Sequence, residues 1–504
     1  MPGHINRRRF LGAAVAPAVF QVVPRYVLGQ GYVAPNDKIT LAYIGLGTQG
    51  LRELEALLSR PEIQVVSVCD PNTDSNDYVD WSKDGLRNDI GRLLGNPNWR
   101  AEVGGIPGGR EVGREVIQTY YASKSGDSTF KGISAYADFR ELLDKENELD
   151  AVKIMTPDHL HAAISIAAMN RGKHVLMHKP IANRMRESRL VLDTAQRTKL
   201  ATHLLAWSAN DSIDTVKAWI RDGAIGTLRQ VHNWSNRPVW PQFPTLPKDT
   251  PPVPAGFDWD LWLGPAMDRP YHPNYTHAVF RGWYDFGGGS IADMGHYSLW
   301  AVFKALDLDA PISAEATPSH AAEINGQVSR VIHNEWSFPA ACTIRFQFAS
   351  KGDWPALDLF WYDGGMRPLT PDEMAEDNEQ MPAEGMMFVG DKGKILSGFL
   401  LQKPRIIPKK RMRAYQESKP QAAGPSDAGA AAPGIVQWIE ACKGGKPSMG
   451  SFLEAAALSE TINLGAVALR AGGRVLYDAA NMQITNVPEA NKHLTREYRP
   501  GWEL

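Results

Sequence analysis

The chain has 504 residues, 22% of them charged, and a formal charge of -2. It is long enough for two domains with cores of their own, and it lacks the basic excess of a nucleic-acid surface. No segment after the N-terminal stretch is apolar enough to span a bilayer. Cys69, Cys342 and Cys442 have neither metal nor disulfide spacing and read as buried thiols, with one disulfide in an oxidising compartment left open.

In chain order, Asn6-Arg7-Arg8-Arg9-Phe10-Leu11 resembles a twin-arginine export signal. Gly12 to Val23 is weakly apolar, too short and too interrupted by proline to cross a membrane. Residues 1–30 are therefore set apart as signal or N-terminal arm, and a periplasmic location is expected. Ile39 to Ile44 reads as a buried strand and leads into Gly45-Leu46-Gly47-Thr48-Gln49-Gly50. Leu51, Leu54, Leu57 and Leu58 then form one helical face. Gln64 to Cys69 reads as a second strand, and it ends on Asp70, twenty residues after Gly50. This is the pattern of a dinucleotide site. The glycines let backbone approach a pyrophosphate at a helix start, and the acid accepts hydrogen bonds from a ribose. Asp70 favours NAD, whereas Asn72 and the polar residues after it leave NADP open. Twin-arginine export carries folded proteins, which suits an enzyme that leaves with its nucleotide bound.

Residues 36–180 thus read as a Rossmann-type, doubly wound parallel α/β domain. It carries a long insertion, 71–135, that would serve as a lid or an assembly surface. Ala151 to Met155 is a further strand, delivering Thr156, Pro157, His159 and His161 to its carboxyl end, where ligands bind in such sheets. After a helix ending at Gly172, the strand His174–Met177 delivers His178-Lys179-Pro180. Asp211 or Ser212 then caps a helix with Ile213, Val216, Trp219 and Ile220 on one face. Strands are expected at Val328–Phe338, Ala341–Phe348 and Leu357–Tyr362, a hairpin at Met386–Leu396, and a surface loop at 418–433. Residues 181–504 therefore read as an α+β domain with a large, mainly antiparallel open sheet, its final segment packing back on the core.

Several residues carry candidate chemistry. His159 and His161 alternate as two metal ligands on a strand would, but no third ligand is evident and no metal is expected. Arg281, Trp283 and Tyr284 offer a guanidinium and aromatic faces suited to a carbohydrate, with aromatic packing as the equal alternative. Trp234, Trp240, Trp259 and Trp262 read as packing. On a helix spanning 290–306, Asp293 and Tyr297 share a face, and His296 is the rival titrating group.

These landmarks together resemble the Gfo/Idh/MocA family of nucleotide-dependent sugar oxidoreductases over nearly the whole chain after residue 30. The resemblance rests on the glycine motif and Asp70, on Thr156-Pro157 with His161, and on Gly172-Lys173-His174-Val175 and Lys179-Pro180. It continues through Asp222 to Gly226 and Asp285 to Gly289 with Asp293. Asp258 to Pro265 and Arg496 to Trp502 are similar to its exported bacterial members.

The resemblance implies that Lys179 sits near the nicotinamide and the reacting carbinol, stabilising the substrate oxygen. His178 stands where the family has glutamate. Tyr297 stands where most members have a histidine general acid/base, as in the glucose–fructose oxidoreductase branch. Lys179 is expected to favour the Tyr297 phenolate, with Asp293 touching the substrate or anchoring the base. The implied function is an exported NAD(P)-dependent oxidoreductase of a sugar or polyol, with a tightly bound, internally recycled cofactor. The alternatives are an NAD-dependent glycoside hydrolase and a non-catalytic sugar-binding or scaffold protein. The implied partners are a small carbohydrate and further copies of the chain, a dimer or tetramer paired through the open sheet face.

Overall fold

Strands whose side chains are buried on both sides read as continuous apolar runs, and Ile39–Ile44 is one. Its Ala42 and Ile44 enter one core and its Leu41 and Tyr43 another, as the two-residue period of a strand requires. The computed structural model describes residues 37–125, 132–207, 212–419 and 433–504. The export-signal stretch at 6–23, the Asp211 cap and nearly all of the 418–433 loop lie outside the described residues.

The first sheet is built from β1 (Ile39–Ile44), β2 (Ile63–Cys69), β3 (Ser134–Tyr136), β4 (Ala151–Ile154), β5 (His174–Met177) and β6 (Thr202–Leu204). Its order is β3-β2-β1-β4-β5-β6 and every pairing is parallel. The order reverses between β1 and β4, so the crevice for a ligand opens at their carboxyl ends. The sixth strand lies past residue 180, where the sequence reading ends the domain.

The second sheet has nine strands and mixed pairing. It takes β7 (Leu228–Trp234) and β8 (Ser313–Pro318) and, beyond the separate hairpin β9 (Ala322–Asn325) and β10 (Val328–Val331), the strands β11 (Cys342–Phe348), β12 (Leu357–Tyr362), β13 (Gly385–Gly390), β14 (Lys394–Ser397), β15 (Arg405–Ile407), β16 (Arg474–Asp478) and β17 (Gln483–Ile484). Only β7 and β12 run parallel. The alternation of β11 and β12 puts Ile344, Phe346, Leu359 and Trp361 into one core. That core also holds Val152, Ile154 and Val175 of the first sheet, and Leu494 and Trp502 of the final segment.

One expectation changes. The run Val328–Phe338 yields only the exposed strand β10, because the Asn334 side chain bonds Trp336 and Ser337 backbone and turns the chain. The insertion is a folded layer. Its helices Gly85–Leu94 and Arg110–Ser125 bury Leu86, Ile90, Val112 and Val116 against the first sheet. The bidentate Arg52–Asp80 pair ties it to the helix after the glycine loop.

Candidate active site

The glycine loop is shaped by close backbone approach. A Cβ on Gly45, whose φ is +96°, would lie 2.6 Å from the Met155 carbonyl carbon, and one on Gly50 would lie 2.2 Å from the Gly45 oxygen. Only glycine lets the loop, the β4 end and the following helix meet this closely. Helix first-turn N–H groups have no partner within their helix, and Thr48, Gln49 and Gly50 open one here. Asp70 accepts from Leu46 N at 2.7 Å and Asn72 N at 2.8 Å. Burial raises its pKa, and those two N–H donors oppose the rise.

Gly45, Gly47, Thr48, Gln49, Gly50 and Asp70 line one end of a cleft of about 1360 Å³, counting its open mouth. Thr156, Pro157, His178, Lys179, Arg281, Asp293 and Tyr297 line the other. These residues fit a dinucleotide. The backbone loop suits the pyrophosphate and Asp70 the ribose, and Thr156 Oγ1 is buried with no partner among the described residues, an acceptor or donor left for a ligand.

At the far end Lys179 and Asp293 form a buried, short ion pair. Burial pulls the Lys179 ammonium down to about 8, Asp293 opposing and Arg281 reinforcing. Burial works to raise the Asp293 carboxyl, but Lys179 and Arg281 outweigh it and leave it at about 2. His178 Nε2 and Tyr297 Oη lie 2.8 Å apart. Burial, with Lys179 and Arg281 nearby, keeps His178 neutral, its pKa well below the usual 6.5.

The expected ease of forming the Tyr297 phenolate is reversed. Burial and the Asp293 carboxylate raise its pKa above 10. The Lys179 ammonium sits over the ring face, 5.1 Å from its centroid, and is already spent on Asp293.

The helix carrying Asp293 is also not regular. Ile291–Gly295 is a π-turn, and an α-helix starts at His296. Asp293 and Tyr297 both reach the cleft, whereas His296 is fully buried outside its lining with Nδ1 3.0 Å from the Ala292 carbonyl. Burial takes His296 down to about 3.

His161 also lies outside the lining. Its ring nitrogens face the Pro180 and Thr156 carbonyl oxygens at 2.6 and 2.9 Å, so it braces both loops that shape the cleft. Burial pulls its pKa down even so. His159 lies in a 3₁₀ turn, not a strand, bonded to the Trp262 carbonyl at 2.9 Å. Of the three sugar candidates only Arg281 lines the cleft. Trp283 donates to the Asn274 carbonyl and packs on Phe243 and Tyr275, and Tyr284 packs on Phe338.

Sequence reasoning missed Tyr78, Arg237 and His277, and it read Trp262 as packing alone; all four line the cleft. Tyr78 belongs to the insertion. Its ring lies on Gly47 and 4.1 Å from the His277 ring of the second domain. Thr73 N donates to the Gly256 carbonyl and Asp258 N to the Pro71 carbonyl, so a clasp between the domains runs beside the nucleotide end. An aromatic ring brought from the insertion to a glycine loop leaves no mark in sequence spacing.

Comparison with known proteins finds two family models in chain order. "Oxidoreductase family, NAD-binding Rossmann fold" matches residues 117–204, and "Oxidoreductase family, C-terminal alpha/beta domain" matches 219–346. A levoglucosan dehydrogenase of Pseudarthrobacter phenanthrenivorans is 34% identical over 112 residues, 21% of this chain and 28% of that protein. A glycosyl hydrolase family 109 protein of Shewanella baltica is 26% identical over 213 residues, 39% of this chain and 38% of that one. These matches span well under half of either relative's length. Among solved structures, the WlbA dehydrogenase of Chromobacterium violaceum, in complex with NADH and UDP-GlcNAcA, superposes with a TM-score of 0.51 at 14% identity. The match covers 89% of this chain and 98% of that one, a likeness of fold.

Proposed function

We propose, from the premise that this chain belongs to the Gfo/Idh/MocA oxidoreductases and carries their NAD-binding Rossmann fold, that it moves hydride between NAD and a sugar or polyol carbinol. The observation that carries this reading is the convergence of Lys179, Asp293 and Tyr297 in the cleft that the glycine loop and Asp70 line. Bound NAD supplies the hydride acceptor, and its reduced form the donor. Lys179, held by Asp293 and drawn to about 8 by burial, takes the hydroxyl proton as the carbon is oxidised and returns it in the reverse direction. A group titrating near the working pH is best matched to that exchange. Tyr297 stays protonated. With His178 Nε2 donating to its oxygen, its O–H is free to donate to the substrate oxygen as charge develops there. His178 thereby does for this site what an acid at its position would do differently: it orients without adding charge.

We read Asn6–Leu11 as an export signal, which implies a periplasmic enzyme working where a free nicotinamide pool is not expected. The cofactor is then retained and recycled within the site, and the clasp between residues 71–78 and the second domain supports retention. The outer face of the second sheet stacks His232 on Phe360 and Tyr362, a surface suited to pairing with a second copy. The test is to purify the protein without added nucleotide, denature it and identify what is released, then titrate sugars into intact protein while reading reduced-nicotinamide absorbance. Stoichiometric nucleotide with a single-turnover change supports the reading, and empty, weakly binding protein refutes the retained cofactor. A second reading, glycoside cleavage through transient oxidation, is favoured by the 26% identity to the Shewanella baltica protein. Splitting of an aryl glycoside with no external acceptor would select it.

A further inference from the structure

The hydride end of the cleft holds one cation more than its carboxylates balance. Lys179 pairs with Asp293, and Arg281 lies 3.5 Å from both Asp158 and Asp293. Arg237 lines the same cleft and is near enough to Asp293 to help depress its pKa. No carboxylate among the described residues lies within ion-pair distance of Arg237; its Nη1 donates to the Asn236 side chain at 2.7 Å. Below about pH 8, where Lys179 keeps its proton, Lys179, Arg281 and Arg237 face two carboxylates, Asp158 and Asp293, which leaves one net positive charge at the substrate end. The pyrophosphate charge of a dinucleotide falls at the other end, on the glycine loop. A half-buried guanidinium with no carboxylate partner, lining a concave site, favours an anionic ligand and pairs with a planar carboxylate through two parallel hydrogen bonds.

We propose that the substrate is a sugar acid, whose carboxylate is bound by Arg237 while its reacting hydroxyl lies on Lys179 and Tyr297. This rests on the oxidoreductase reading and names its substrate class. A carboxylate carries the single charge that the site lacks, whereas a phosphate monoester at about -2 overshoots it.

The test uses the full-length, nucleotide-loaded protein and matched ligands: glucose with glucuronate, galactose with galacturonate, gluconate, and glucose 6-phosphate. Reduction of the retained cofactor is read as a single turnover of nicotinamide absorbance at rising sugar concentration, and binding is read by calorimetry. The uronates are expected to exceed their neutral partners by roughly 10- to 100-fold in the second-order rate of cofactor reduction and in affinity, the range of a charge-assisted hydrogen bond. Arg237→Gln is expected to collapse that preference toward unity, mainly through the Kd of the sugar, with the nucleotide content of the purified protein unchanged. Equal use of neutral and acidic sugars overturns the proposal and leaves the oxidoreductase standing. Preference for glucose 6-phosphate assigns the anion to phosphate and overturns it too. Loss of nucleotide in Arg237→Gln places Arg237 on the cofactor instead and overturns it. If no sugar changes the absorbance, the oxidoreductase reading fails, and calorimetry still decides whether Arg237 holds a uronate.

Discussion

The two ends of the cleft are built in different ways. The nucleotide end comes from one local stretch: Gly45 to Gly50 turns directly from β1 into a helix, and Asp70 closes β2 beside it. Its shape is backbone against backbone. The end proposed for hydride transfer is assembled from distant loops: Lys179 after β5, Arg237 after β7, Arg281 in a 3₁₀ turn, and Asp293 and Tyr297 on a helix with a π-turn. Its character is buried charge, and no two neighbouring residues supply it. The lesson is that the first end should fail sterically and the second electrostatically.

Substitutions can break that division. Lys179→Met is expected to remove roughly 10³-fold or more of turnover, since both the proton and the oxyanion contact go. Released-nucleotide assays should still find a full complement of cofactor. Loss of nucleotide there would mean that the two ends are not separable. Gly45→Ala should act in the opposite sense. Its Cβ clash with Met155 backbone at a positive φ should cost roughly 2 kcal/mol or more of stability. Denaturant midpoints and nucleotide stoichiometry should fall together.

Asp293→Asn sharpens the electrostatic half. The Asp293 carboxylate raises the Lys179 pKa against burial, so its removal lowers the apparent pKa of the oxidation rate below the wild-type value of about 8. The rate should also fall on the order of 10- to 100-fold. A pH–rate profile reads both, and an upward shift would reverse the assignment of the titrating group. Tyr297→Phe keeps the ring over Lys179 and removes one donor, for a loss of about 10-fold with little change in that pH profile. His296→Gln should move turnover least, by less than about threefold, because His296 lies outside the cleft lining. A loss as large as that of Tyr297→Phe would restore it as the acid/base.

Much of the fold was legible. β2, β5 and β12 fall where alternation or an apolar run puts them, because burial on a sheet face imposes its period on the residues. The match to the NAD-binding family model starts at residue 117, yet the glycine motif could be read far upstream of it. The backbone approaches at Gly45 and Gly50 demand glycine, and no other residue type can take their place. The site's other half resisted. Trp283 and Tyr284 flank Arg281 closely, but only the arginine faces the cleft, since the orientation of an irregular loop follows its surroundings. The π-turn that resets the face of Asp293 relative to Tyr297 has no composition of its own.

By itself, the sequence determined the parallel sheet, the nucleotide loop and the acid beside it, all features that local backbone geometry imposes within a few dozen residues. Only the tertiary structure decided that Tyr297 meets His178 across 119 positions, that Tyr78 of the insertion covers Gly47, and that Arg237 lines the cleft with no carboxylate among the described residues within ion-pair distance. It also reversed the expected ionisation of Tyr297. A pKa depends on burial and on charges brought together through space, and neither is written in the spacing of residues along the chain.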